Sequence, residues 1–223
     1  SEKKLIDLLK KAASKQIQHS DREKVLSFIE SNLEKVEITD HSTWHALRGT
    51  LSHHRSYPDA KWALPEEILK RYEDIYKKLE PSDSVERVIW MFNDHWPSFP
   101  EGMERKELPY QDQEKLILER RVEGLKSIYQ EFGFKKVKEL AKVVKETWIY
   151  GDTLAYVIDN EKEVLSLCEY LKAEEAPVQN CIQRFIFRKS IINGIDWVFE
   201  LYEKLKTSKY SDEQLARMFY QVE

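Results

Sequence analysis

Glycine and cysteine are scarce in this chain, and long apolar runs are missing altogether. The 223 residues hold six glycines and two cysteines. The glycines (Gly49, Gly102, Gly124, Gly133, Gly151 and Gly194) are scattered, so no Gly-rich loop stands ready to cradle a phosphate. No serine sits in a nucleophile elbow. Cys168 and Cys181 fall inside apolar helical patterns and read as buried free thiols. No stretch of ~18 apolar residues is present to span a bilayer, so no membrane partner is expected. Nor is there a basic excess: 36 Lys and Arg face 40 Asp and Glu, a net charge of -4, which disfavours nucleic acid as a partner. Ser1-Glu2-Lys3-Lys4 opens an amphipathic helix rather than a signal peptide. The expectation is a cytoplasmic protein with no cofactor and no resident metal. Because the chain starts without Met and stops at Glu223 inside a helical pattern, it also reads as a piece of something longer.

Charge and helical periodicity are abundant instead. Charged residues make up 34% and apolar residues 41%, the balance expected of many short helices that each keep a wide wet face. Val25, Leu26, Phe28, Ile29 and Leu33 form one stripe, after a capping box at Ser20 and Glu23. Trp44, Leu47 and Leu51 form another, which Pro58 ends. Pro65 suits the first position of the next helix, with Ile68, Leu69, Tyr72, Ile75 and Tyr76 behind it. Asp83 and Glu86 begin a further one, and Gly133 is placed to end a long helix on a positive φ. Helix starts near Glu161, Pro177, Gly194 and Ser211 are spaced by 16, 17 and 17 residues, so two-helix units of 33 or 34 residues fall in the range of helical repeats. Arg184–Ile192 is the one β-prone run, but Val178, Cys181, Ile182, Phe185 and Ile192 favour a helix there.

The predicted architecture is all-α, with antiparallel helix pairs stacked as a HEAT/TPR-like right-handed solenoid or α-α superhelix. A compact helical bundle is the alternative. Residues 1–96 read as an N-terminal helical part, 97–109 as a Pro/Gly-broken loop and 110–223 as a helical-repeat part, together one continuous structural unit.

The stretch from His41 to Pro100 holds five of the six histidines, four of the six tryptophans and five of the seven prolines. It reads first as a structural hub and second as a binding surface, since Trp, Tyr and Arg favour interface hot spots. Phe92 is expected to point inward and Trp44 and Trp62 to be substantially buried, with Trp90 pointing away from Phe92. Trp96, in the broken loop, is expected to expose its ring. Candidate partner-binding residues are Trp96, Phe99, Arg48, Arg55, Tyr57 and His54. His41 and His45 stand one helical turn apart, a metal-compatible spacing, but no third ligand follows and ordinary carboxylate-bonded histidines explain them. The arginines are expected to pair with the abundant carboxylates.

The phrases His54-Arg-Ser-Tyr-Pro-Asp-Ala-Lys-Trp62, Leu79-Glu-Pro-Ser-Asp, Arg87-Val-Ile-Trp-Met-Phe92 and Gly151-Asp-Thr-Leu-Ala155 resemble α-helical repeat regions of large multidomain bacterial proteins, where they follow enzymatic or NTPase domains. That resemblance implies a solenoid serving as sensor, scaffold or partner-binding arm. The functional expectation is a non-catalytic interaction module that binds a protein, a peptide or neighbouring domains of a longer chain. The alternative is a nucleic-acid-processing helical-repeat enzyme of the base-excision type. It would need Trp and Tyr in a groove, a carboxylate there, and flanking Lys or Arg.

Overall fold

The computed structural model describes residues 19–33, 41–102 and 109–220 with Lys4, Asp7 and Leu8, and for His19 and Ser20 the backbone only. The helix expected over residues 5–13 and the Ser20 half of the capping box lie outside the described residues. Among the described residues the protein is all α, with ten α-helices, three short 3-10 turns and no strand. It forms two compact units. The first comprises residues 1–82 and 98–113, the second residues 83–97 and 114–223.

In the first unit, α1 is His19–Asn32, α2 Ser42–Arg55 and α3 Glu66–Lys78. α3 starts directly after Pro65, one position later than the sequence suggests. α2 packs on α3, and the core joins Leu26 and Ile29 to Leu47, Leu51, Ile68 and Tyr72. Arg71 of α3 clamps α1 with two bonds, Nε and Nη2 reaching Glu30 at 2.8 and 2.7 Å. Trp44 is 2% exposed and stacks on Tyr76, with ring centroids 5.1 Å apart. Trp62 is half-buried, its indole stacked on the exposed His53 at 4.3 Å.

In the second unit, α4 (Ser84–Val88) is capped by Asp83, whose side chain accepts from the Val85 amide, and runs into a 3-10 turn, Ile89–Phe92. Phe92 is fully buried as expected. Trp90 is only 7% exposed, so burial is not confined to one face of this short turn, and its indole Nε1 donates to the Arg87 carbonyl at 2.7 Å. α5 spans Tyr110–Leu140, belongs to this unit from Glu114 onward, and is interrupted at Gly133, whose φ of 75° no helix contains. α6 (Thr147–Leu154), α7 (Glu161–Cys168), α8 (Ala176–Asn193), α9 (Ile195–Lys206) and α10 (Asp212–Ala216) follow. A complete capping box at Ser211 and Gln214 starts α10.

α8 is the helix the others gather around: α6 and α9 pack on it, as do the turns Glu169–Lys172 and Arg217–Phe219. Val178, Cys181, Ile182, Phe185 and Ile186 turn inward at helical spacing. Ile192 does not join them and is 44% exposed; buried Lys189 takes the corresponding place. Cys168 and Cys181 are free and buried, and burial pushes both thiols up to about 12, so neither forms a thiolate readily.

The α6–α8 contact depends on Gly151. A Cβ placed there would lie 2.1 Å from the Cys181 carbonyl oxygen, backbone that cannot swing aside. Gly151→Ala should therefore push α6 off α8 and cost about 1–3 kcal/mol, the usual range for overpacking. Urea denaturation of the variant measures this, and an unchanged midpoint would refute the close-approach account.

Candidate functional site

The close approach at Gly151 brings the next residue, Asp152, within reach of α8. Arg184 and Arg188 stand one turn apart there, and their Nη2 atoms donate to Asp152 Oδ2 at 2.7 and 3.0 Å. Asp152 is 8% exposed, and its other oxygen, Oδ1, has no partner among the described residues. The next residue of α8, Lys189, is 2% exposed and bonds Asp159. Three cations of one helix thus converge on two carboxylates.

Aromatic rings border this cluster. Arg184 lies 5.6 Å from the Trp148 ring and 4.8 Å from Phe187. Trp148 precedes Asp152 by one helical turn, so both leave the same side of α6. Its indole donates to Glu146 Oε2 at 2.8 Å, and its face stacks on His95, 5.4 Å away. Half-buried Trp96 meets His95 edge-on at 5.3 Å. A strip therefore runs Trp96, His95, Trp148, Arg184, with Asp152 beside its end.

Arg121 holds the loop end of that strip. It is 6% exposed and donates to three carbonyls, through Nε to Met91 at 3.0 Å and through Nη2 to Asp94 at 2.8 Å and His95 at 3.1 Å. Burial lowers its pKa to about 10, which still leaves it charged at neutral pH. The guanidinium does for this segment what a run of helix amides would otherwise do.

The other residues singled out in the sequence lie in the first unit. His54 is buried, and its Nδ1 accepts from the Leu64 amide at 3.1 Å. Arg55 donates to the Pro100 carbonyl, Glu66 Oε1 and Glu73 Oε2 at 3.1, 3.0 and 2.7 Å. Gly102 makes room for it: a Cβ there would lie 2.6 Å from Arg55 Cβ, and φ is +70°. Arg48 donates to His45 Nδ1 at 2.9 Å, and burial lowers its pKa to about 10. Phe99 is 7% exposed and so presents no ring to a partner, whereas Tyr57 is 39% exposed beside His53. No group of three or more His, Cys, Asp or Glu placed to hold a metal ion occurs among the described residues.

The structure thus gathers Arg55, Phe99, His54 and Tyr57 in one unit and Trp96 in the other. The residues that sequence reasoning overlooked are Trp148, Asp152, Arg184, Arg188 and Lys189. Their signal was present: a Trp and an Asp four apart, then two arginines four apart, each pair on one helical face. Comparison with known proteins finds no match to any family model, curated protein or solved structure.

Replacing Asp152 by Asn keeps the shape and removes the charge that Arg184 and Arg188 share. Those side chains are 20% and 27% exposed, so the loss should be about 2–3 kcal/mol, below that of a fully buried pair. Chemical denaturation checks it, and a loss under about 0.5 kcal/mol would place the pair among ordinary surface bridges. Trp44→Ala should cost about 3–5 kcal/mol and half-buried Trp96→Ala less than half as much, as read from thermal melts.

Proposed function

We propose that this chain is a non-catalytic helical-repeat module that binds a protein or peptide partner. In this reading its helix pairs stack as a HEAT/TPR-like right-handed solenoid, and it serves as a scaffold or sensor arm for neighbouring domains of a longer polypeptide. The observation that carries the reading is an apolar surface in the second unit. Ile191, Ile192, Ile195 and Phe199 are 58%, 44%, 46% and 52% exposed, clustered around one turn of the chain. Large side chains gathered in this way mark interaction sites more often than chance surface exposure does. The repeat reading draws support from α8, α9 and α10, each of which packs on its sequence neighbour.

The test is a photo-crosslinking amino acid at position 199. Covalent adducts with protein are expected on illumination in cells, and Ile195→Glu should remove them. Adducts with nucleic acid alone, or none, would overturn the reading.

The Asp152 cluster favours a second reading, the base-excision type of nucleic-acid enzyme. A Trp face, a carboxylate with one oxygen open and two guanidiniums are the groups that a flipped nucleotide and its phosphates would require. A gel shift with duplex DNA at low salt decides it. Binding that weakens steeply with salt and falls in Arg188→Ala supports this reading, and no shift at low salt removes it.

A further inference from the structure

The last turn of α8 inverts the burial expected of its sequence. Val178, Cys181, Ile182, Phe185 and Ile186 make the inward stripe, and Lys189, at 2% exposure, continues it. Ile191 and Ile192, by contrast, stand in solvent at 58% and 44%. Gly194, with φ at 89°, turns the chain, and α9 opens with Ile195 and, one turn on, Phe199. Beyond them the apolar surface continues: Phe199 lies 6.0 Å from the Phe219 ring, which in turn is 5.8 Å from Tyr202.

Carboxylates make up one flank of this surface. Asp196, Glu200 and Glu203 recur at helical spacing along the flank of Ile195 and Phe199, and all three are exposed. Most cations nearby are paired with carboxylates away from this surface. Lys204 Nζ bonds Glu161 Oε1 at 2.7 Å, though it also feels the charge of Glu200. Exposed Lys206, 5.7 Å from the Tyr202 ring, is the cation at the far end of the surface, one turn beyond Tyr202 and away from Ile195. On α8, Arg188 and Lys189 are held by Asp152 and Asp159. An acidic border repels nucleic acid and anionic lipid and draws in a basic partner.

We infer that this surface docks a cationic amphipathic helix of a protein partner. The apolar stripe of that helix covers Ile191, Ile192, Ile195 and Phe199, and its Lys or Arg residues face Asp196, Glu200 and Glu203. Anchors at i, i+3 or i+4 and i+7 on such a helix match the one-turn spacing of Ile195 and Phe199. The inference rests on reading the chain as an interaction module and names the class of its partner.

The test uses two labelled peptides of about 14 residues, roughly four helical turns. One is an amphipathic helix of Leu and Lys, and the other carries Glu in place of every Lys. Fluorescence anisotropy with the full chain should show binding of the Leu/Lys peptide, weakened by salt, and none of the Leu/Glu peptide. Reversing the border (Asp196→Lys, Glu200→Lys, Glu203→Lys) should exchange the two preferences. Phe199→Ala should weaken the Leu/Lys peptide about tenfold. A control reversal of exposed Glu119 and Glu123 on α5 should change neither. All variants should keep the wild-type circular dichroism, because every reversed side chain is exposed.

Binding that ignores the border reversal, that falls equally in the α5 control, or that survives Phe199→Ala unchanged would overturn the inference. If protein adducts form from position 199 while the peptides behave in that way, the partner class is wrong and the module reading stands. If no adducts form either, both fall.

Discussion

The second unit depends on one backbone-to-backbone approach. Gly151 lets α6 come so near α8 that the Cys181 carbonyl occupies the space a side chain would need. Two consequences follow from that separation. Tyr150, just before the glycine, is fully buried, its ring edge-on to Phe92 at 4.9 Å and its hydroxyl bonded to the Val137 carbonyl at 2.7 Å. Asp152, just after it, reaches two arginines that a normal interhelical distance would leave in solvent. An apolar joint and an ionic one are thus set by the same missing methyl group.

The ionic joint is also why the interior of this unit is less apolar than its sequence pattern implies. A buried carboxylate is tolerated only when paired, and here two guanidiniums share one of its oxygens. Lys189 is the converse case, a buried cation bonded to the exposed carboxylate of Asp159, at a helix position that an aliphatic residue would ordinarily fill. Ile191 and Ile192, two and three residues further on, face water. The last turns of α8 thus place a polar residue inside and apolar residues outside.

The helices were readable in the sequence because each carries its own periodicity and punctuation. Pro65, Asp83, Gly133, Gly194 and Ser211 all stand at or next to observed boundaries. The inward stripe of α8 was readable for the same reason as far as Ile186. It failed at Ile192, since periodicity assigns faces by hydrophobicity and Lys189 reaches its partner only through tertiary structure. Trp62 is half-buried, its indole stacked on His53 with His54 edge-on at 5.5 Å. The Asp152 cluster was missed because its members are 32 and 36 residues apart: each helix shows its own same-face pair, but only tertiary structure brings the two pairs together. Phe99 shows the opposite error: a ring among prolines looks available, yet its unit folds around it.

Arg121 fixes something about the loop it serves. Surface loops usually absorb added or lost residues without harm, because few bonds tie them down. Here one rigid, planar fork reads the positions of three carbonyls at once, those of Met91, Asp94 and His95. A residue inserted between Met91 and His95 would strand a buried cation, and lysine, a single point charge, could not span the same three oxygens. The segment is therefore a poor place to graft a tag or join a domain, however loop-like the prolines just after it look. The turn at Ser208–Lys209, whose residues are exposed and held by a few short-range bonds, is where such an addition would be absorbed.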